Sequence, residues 1–259
     1  MIQWQGFPTW DLEHGIVRAW WFDPFTATLS FAVFINWYWF HERQLGLSTT
    51  RQFSDTLRLE LGPLWSSGLA YWIGILIWKC LVPPAAVTDG IPSDARELLY
   101  LLCEIGSGIL LYDAIFFGLH WGMHAIPCFR KFHHRHHAGT PIEARDVLRH
   151  SLLDGGLQVL VNILVQRHTP WGIAKSRLAR LGHNVIVIWM LTESHTSSPY
   201  PYLWRRWFVG VREHIHHHAA KGDDAKTMKG RFHRYQQFFG YLDDLRIWLG
   251  RRECRSSIK

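Results

Sequence analysis

Three long apolar stretches constrain the fold of this 259-residue chain more than any other feature of its sequence. They cover roughly residues 20–40, 64–87 and 98–119. Each is close to the length of about 20 apolar residues that a helix needs to cross a bilayer, and Trp and Tyr collect near the ends, as they do at membrane interfaces. We therefore predict three membrane-embedded helices. Three polar residues inside the stretches keep open the alternative of buried helices in a soluble protein: Lys79, Glu104 and Asp113.

Two later apolar runs, residues 152–165 and 185–191, are too short to span a bilayer. We predict re-entrant or interfacial helices there, with no full crossing or one shallow hairpin between His137 and His195. The rest of the C-terminal half is polar and rich in Lys and Arg, and basic flanks favour the cytosolic side of a membrane. Residues 88–97 carry a single Arg and are predicted to lie on the luminal side.

The expected fold is all-α, with integral membrane helices under a cytosolic helical cap. We treat residues 1–259 as a single membrane-embedded domain, with the membrane base mainly in residues 20–119 and the cap and re-entrant helices mainly in residues 120–245. The tail "HRYQQFFGYLDDLRIWLG" is predicted to be an amphipathic helix that closes the cap. The four cysteines are scattered without a C-x-x-C pair, so we predict reduced thiols rather than a disulfide framework or an iron–sulfur site.

The chain contains 17 histidines, and many of those that follow the third apolar stretch share helix faces. His120 and His124 are four residues apart and lie on one face of a helix, with Asp113 on the same face seven residues earlier. At about 100° per residue, two further triplets each fall within about a quarter of a turn. They are His133, His136 and His137, and then His214, His217 and His218; His134 and His216 point away from these arcs.

Such faces favour a metal site over a solvated basic surface or a nucleic-acid patch. The net charge of +7 suits an anionic membrane face or nucleic acid. Nucleic-acid readers rely on Arg, Lys and stacking aromatics, whereas histidines outnumber arginines within these runs, so we predict no nucleic-acid partner. These eight histidines exceed the ligands of one tetrahedral zinc ion and suit two ions. Imidazole accepts iron, zinc or copper, so the spacing leaves the metal open.

These residues resemble the motifs of the fatty acid hydroxylase superfamily, the membrane di-iron enzymes that include sterol desaturases and sterol methyl oxidases. The family pattern is an Asp seven residues before H-x-x-x-H, then H-x-x-H-H, then a final H-x-x-H-H, and the residues named above match it. The segment "VLRHSLLDG" resembles the family's H-P-L-E segment with His150 in the His place. The segment "TESHTSSPYPYL" resembles a further ligand segment and makes His195 a ninth candidate. The resemblance spans about residues 98–245.

Three residues beside the candidate ligands depart from the family pattern. Trp121 follows His120 where the family usually has Arg, His134 stands where it has Lys, and Ser151 replaces the Pro of the H-P-L-E segment. These changes leave the metal site in place and bear on the substrate subfamily.

The resemblance implies two iron ions, activation of O2, and hydroxylation or desaturation of a membrane lipid of sterol or fatty acyl type. Zinc is expected to replace iron in some overexpressed protein, because affinity order does not enforce iron. Asp113 and Glu193 are expected to orient the ligand rings, and His150 and His183 are further candidates for a supporting role or for metal binding. The implied ligands are His120, His124, His133, His136, His137, His195, His214, His217 and His218.

The electrons for such a reaction have to come from outside the chain. It carries no G-x-G-x-x-G element and no recognisable haem-binding cytochrome domain, so we expect an NAD(P)H-linked reductase or a b-type cytochrome as donor. The expected location is the endoplasmic reticulum membrane, with the active site facing the cytosol. The alternative is a non-catalytic membrane metal-binding or metal-transport protein. Transport requires polar ligands along a path through the membrane, whereas these histidines gather at one exit.

Overall fold

The computed structural model describes residues 21–47, 68–82, 91–137, 142–198, 203–219 and 234–256. Within these ranges the regular structure is helical, with one isolated β-bridge between His168 and Ala174. The predicted all-α fold is therefore confirmed for this part of the chain. The helices are α1 (Phe22–Gln44), α2 (Gly68–Leu81), α3 (Ala95–Ala125), α4 (Pro127–His133), a 3-10 helix (Ala144–Leu148), α5 (Leu152–Arg167), α6 (Arg177–His195), α7 (Trp204–Trp207), α8 (Val209–Ala219) and α9 (Tyr241–Ser256).

The longest of the described helices, α3, begins and ends at clear sequence signals. Asp94 is its N-cap and accepts a hydrogen bond from the backbone N–H of Glu97 at 2.8 Å. It ends at Ala125, because Pro127 disfavours helical backbone at Ile126. Its 31 residues extend over about 46 Å.

By length and composition, α3 is the one helix among the described residues that could cross a membrane. Three membrane-embedded helices were predicted, and one of the described helices is long and apolar enough to be one. The first apolar stretch forms the 23-residue α1, which carries polar residues along its length, including Asp23 and Asn36. The described part of the second stretch is the 14-residue α2, which is shorter than a bilayer crossing needs.

The two short apolar runs form α5 and α6, joined by residues 168–176. Ser151 and Ser176 cap the two helices, accepting hydrogen bonds from Asp154 N and Ala179 N. The connection lies beside the early turns of α3, where Trp171 Nε1 donates to Tyr100 Oη at 3.1 Å. Tyr100 precedes His120 by about 30 Å along α3. The α5–α6 hairpin therefore extends along much of the length of α3.

The core lies between α1, α2, α3, α5 and α6. Its buried side chains include Ile35 of α1, Phe116 of α3 and Ile188 of α6. α2 and α5 approach each other closely at two glycines. A Cβ added to Gly74 would lie only 3.2 Å from the Cα of Gly156.

The C-terminal segment differs from the predicted continuous helix. Residues 234–240 carry no helix, and α9 begins at Tyr241. The buried carboxylate of Asp113 accepts the backbone N–H groups of Gln237, Phe238 and Phe239 at 2.8–2.9 Å. These N–H groups are therefore paired with the Asp113 carboxylate of α3 rather than with backbone carbonyls four residues earlier, so residues 237–239 do not continue a helix.

Candidate metal centre

Four helices and one turn bring the predicted ligands to one end of the molecule. The last two turns of α3 carry His120 and His124, and the end of α6 carries His195. The end of α4 and the turn after it, together with α8, supply the two triplets that contain His133 and His217. Segments that are distant in sequence therefore meet at a single site.

The nine predicted ligands fall into two groups, and within each group the ligand atoms lie within 4.8 Å of one another. The groups are adjacent, since the rings of His137 and His218 are stacked with centroids 4.4 Å apart. His134 and His216, predicted to point away, are exposed. The five-histidine group is His120, His124, His133, His137 and His217; the four-histidine group is His136, His195, His214 and His218.

The Nε2 atoms point at one another inside each group. In the four-histidine group, His195 Nε2 lies 3.2 Å from His136 Nε2 and 3.1 Å from His214 Nε2. In the five-histidine group, His217 Nε2 lies 3.1 Å from His120 Nε2. Two nitrogens about 2.1 Å from one ion, at angles of 90–109°, would be about 3.0–3.4 Å apart. The observed separations fit ligands that share an ion.

Oxygen acceptors fix the orientation of several rings. His120 Nδ1 lies 2.8 Å from the carbonyl oxygen of Tyr235, and His195 Nδ1 lies 2.7 Å from that of Leu191. A ring that donates from Nδ1 in its neutral form directs the Nε2 lone pair into the group. Lone pairs that face each other at about 3 Å repel unless a cation lies between them, so the arrangement suits metal ions.

The environment also keeps the imidazole rings on α8 and on the turn after α4 neutral. Burial, followed by the neighbouring imidazoles, holds the pKa values of His136, His214 and His217 well below the usual 6.5. Neutral imidazole is the form that binds metal. These histidines therefore do not have to lose a proton near neutral pH before an ion binds.

Asp154 is a supporting residue that the sequence analysis missed. Its Oδ2 accepts from His133 Nδ1 at 3.0 Å and lies 3.0 Å from His150 Nδ1, while its Oδ1 accepts from Gln158 Nε2 at 2.9 Å. His150 stacks on His136 with ring centroids 4.2 Å apart, outside both groups. The position of Asp154, four residues after His150 and three after the capping Ser151, is the signal that could have identified it.

The ring-orienting role expected of Asp113 and Glu193 is not what the structure shows. Asp113 holds the segment that supplies the carbonyl of Tyr235, so it acts on His120 through the backbone. Glu193 accepts from Tyr38 Oη and from the backbone N–H of Arg205, both at 2.7 Å. It connects α6 with α1 and α7.

His183 also lies away from both groups. Its Nε2 is 3.1 Å from Oδ1 of Asn162, inside the bundle. Twelve residues separate it from His195, which is about 18 Å along α6. His183 is therefore not positioned to bind metal in either group.

The fold and the two histidine groups can be compared with those of known protein families. The profile of the fatty acid hydroxylase family matches residues 105–246, which is more than half of the chain. The chain therefore belongs to the fatty acid hydroxylase family, as the histidine motifs predicted.

Curated relatives include cholesterol 25-hydroxylase from two mammals. The Mus musculus protein is 28% identical over 138 residues, which are 50% of this chain and 44% of the relative. The Homo sapiens protein is also 28% identical over 138 residues, which are 48% of its length. The chain thus spans about half the length of the curated relatives it matches. No solved structure matches.

Proposed function

We propose that this chain is a membrane di-iron oxidoreductase that uses O2 to hydroxylate a lipid of sterol or fatty acyl type, with desaturation as the related outcome of the same chemistry. The convergence of nine histidine nitrogens in two adjacent groups is the observation that carries the proposal. The family membership and the relatives that act on cholesterol support a lipid as substrate.

Each part of the site has a role in this proposal. The nine histidines would hold the two irons, which supply the redox chemistry that activates O2 and attacks an unactivated C–H bond. The carboxylate of Asp154 and the carbonyl of Tyr235 keep His133 and His120 in the orientation that binds metal. Burial of His120 and His195 keeps bulk water away from the reacting carbon.

A small cavity adjoins the histidines on the side that faces the bundle. Tyr71, Phe116, Gln158 and Leu191 line it together with histidines of both groups. The apolar side chains in this lining, Phe116, Val147 and Leu191, suit an alkyl group. The carbon that is oxidised would lie here.

Electron supply is the part of the proposal that needs a partner. Hydroxylation by O2 consumes reducing equivalents, which we assign to an NAD(P)H-linked reductase or a b-type cytochrome. The active site is proposed to face the cytosol at the endoplasmic reticulum membrane, with α3 crossing the bilayer and its histidine end at the exit.

Lipid profiling of cells that express the chain tests this function. Wild-type cells should accumulate an oxidised sterol or fatty acyl product that is absent with the His136→Ala variant and retained with His216→Ala, whose side chain is exposed. The same profile in all three lines, with normal protein levels, would instead favour the metal-binding or metal-transport alternative.

A further inference from the structure

A second and larger cavity runs between α1, α2, α3, α5 and α6, with a volume of about 110 Å³. Its walls are mainly apolar and include Ala27 and Phe31 of α1, Ile75 of α2, and Val187 and Ile188 of α6. Small-molecule sites are typically concave and apolar with a few polar groups. The cavity has the properties of such a site.

The inner end of this cavity reaches the histidine site. Tyr71, Gln158 and Leu191 line both this cavity and the small cavity beside the histidines. A ligand whose end lies against these three side chains would place that end next to the proposed metal ions.

The outer end carries charged side chains from four helices. Asp23 of α1 pairs with Lys79 of α2 at 3.0 Å and with Arg180 of α6 at 2.8 Å. Arg167, at the end of α5, also lines the cavity, and its Nε is buried without a hydrogen-bond partner among the described residues. The charged residues that line this end are thus three cations and one carboxylate.

The helices set the distance between the two ends. Leu191 and Arg180 are about 17 Å apart along α6, and Tyr71 and Lys79 are about 12 Å apart along α2. The cavity is therefore elongated, with one polar end and one end at the proposed metal site.

We propose that this cavity binds an amphiphile with an anionic head group, carboxylate or phosphate, held by Arg167 at the outer end. Its apolar chain extends inward, so the carbon presented for oxidation lies about 12–17 Å from the head group. This inference deepens the proposed function and rests on it for the oxidation, although not for the binding.

The charges decide between an anionic head and a neutral one. A hydroxyl group could accept a hydrogen bond from Arg167, but it would not balance the net positive charge of the side chains that line this end. A carboxylate or phosphate satisfies the buried donor of Arg167 with a charge-assisted hydrogen bond, the geometry for which guanidinium is suited.

Binding of fluorescent chain-matched probes to the purified, detergent-solubilised full chain tests the proposal without turnover. The probes are a long-chain carboxylate, the alkyl phosphate and the neutral alcohol. The wild type should bind one of the two anions about tenfold or more tightly than the alcohol, and the tighter anion identifies the head group. Arg167→Gln should remove that preference, while Arg96→Gln, an exposed cation at the start of α3, should retain it.

Filling the cavity provides a second test. Ala27→Phe places a ring in the cavity and should weaken the binding of all three probes. Ala32→Phe, at a partly buried position on the same helix that does not line the cavity, should not.

Equal binding of the alcohol and both anions by the wild type would overturn the head-group assignment. Equal loss of all probes in Arg167→Gln would also overturn it, because the cation would then only hold the helices together. Selective binding with no oxidised product would overturn the proposed function and leave this site assigned.

Discussion

Helical position decides, residue by residue, which histidines join the site. His133, His136 and His137 turn toward the interior, and the same pattern recurs in α8 with His214, His217 and His218. Between them, His134 and His216 remain exposed. A rotation of 100° per residue predicted this separation from the sequence, although His136 and His137 lie in the turn that follows α4 rather than in the helix.

Adjacent histidines of α8 should therefore respond differently to removal. His217→Ala removes a nitrogen that lies 3.1 Å from His120 Nε2, so turnover should fall below detection. His216→Ala should leave turnover within about twofold, because surface substitutions seldom disturb a site. Product formation at equal protein levels is the measurement. Equal losses in the two variants would show that the α8 register is wrong.

A substitution at Asp154 tests whether its carboxylate supports the ligand ring of His133. Asp154→Asn keeps the shape but loses the charge that accepts from His133 Nδ1, and loss of such a partner typically lowers metal affinity about 10–100-fold. Competition with a chelator measures the metal affinity. The control is Asp244→Asn, which changes an exposed carboxylate on α9. Unchanged metal affinity in Asp154→Asn would contradict the assigned role.

At the scale of elements, the sequence predicted which segments are helical better than it predicted the residues at which the helices begin and end. The periodic histidine faces and apolar runs located α3, α5, α6 and α8. The start of α9 could not be predicted, because it depends on Asp113, more than a hundred residues earlier in the chain. Asp154 was missed for a similar reason, since only the fold brings α5 beside the end of α4.

Asp113 should be important for stability because it joins α3 to the C-terminal segment. Asp113→Ala leaves three backbone N–H groups buried without their acceptor, and each such group costs about 1–3 kcal/mol. We expect a clear fall in thermal stability, measured by Trp fluorescence or circular dichroism, and weaker metal binding because the carbonyl of Tyr235 supports His120. The control Asp244→Ala should unfold like the wild type. A stable Asp113→Ala variant would mean that this segment is held by other contacts.

The whole molecule should become less stable in acid once metal is removed. In the folded state the pKa values of His136, His137, His214, His217 and His218 lie well below 6.5. In the unfolded chain they return to about 6.5, so below that pH the unfolded state binds more protons. The free energy of unfolding should therefore fall as pH decreases from about 6.5, by up to about 1.4 kcal/mol per pH unit for each histidine.

Thermal unfolding of chelator-treated protein from about pH 7.5 to about pH 5.5 measures this dependence. The midpoint should be nearly constant above pH 6.5 and should decrease below it. A midpoint that rises or stays level in acid would indicate that these rings are already protonated in the folded state.

The central claim at this scale is that the whole molecule brings distant segments together to hold two metal ions. Elemental analysis of iron and zinc in the purified protein tests it most directly. The wild type should contain about two ions per chain, one for each histidine group. The double variants His195→Ala/His214→Ala and His120→Ala/His217→Ala should each retain about one, because each disrupts a single group. A folded wild type without bound transition metal, or an unchanged content in both variants, would contradict the account.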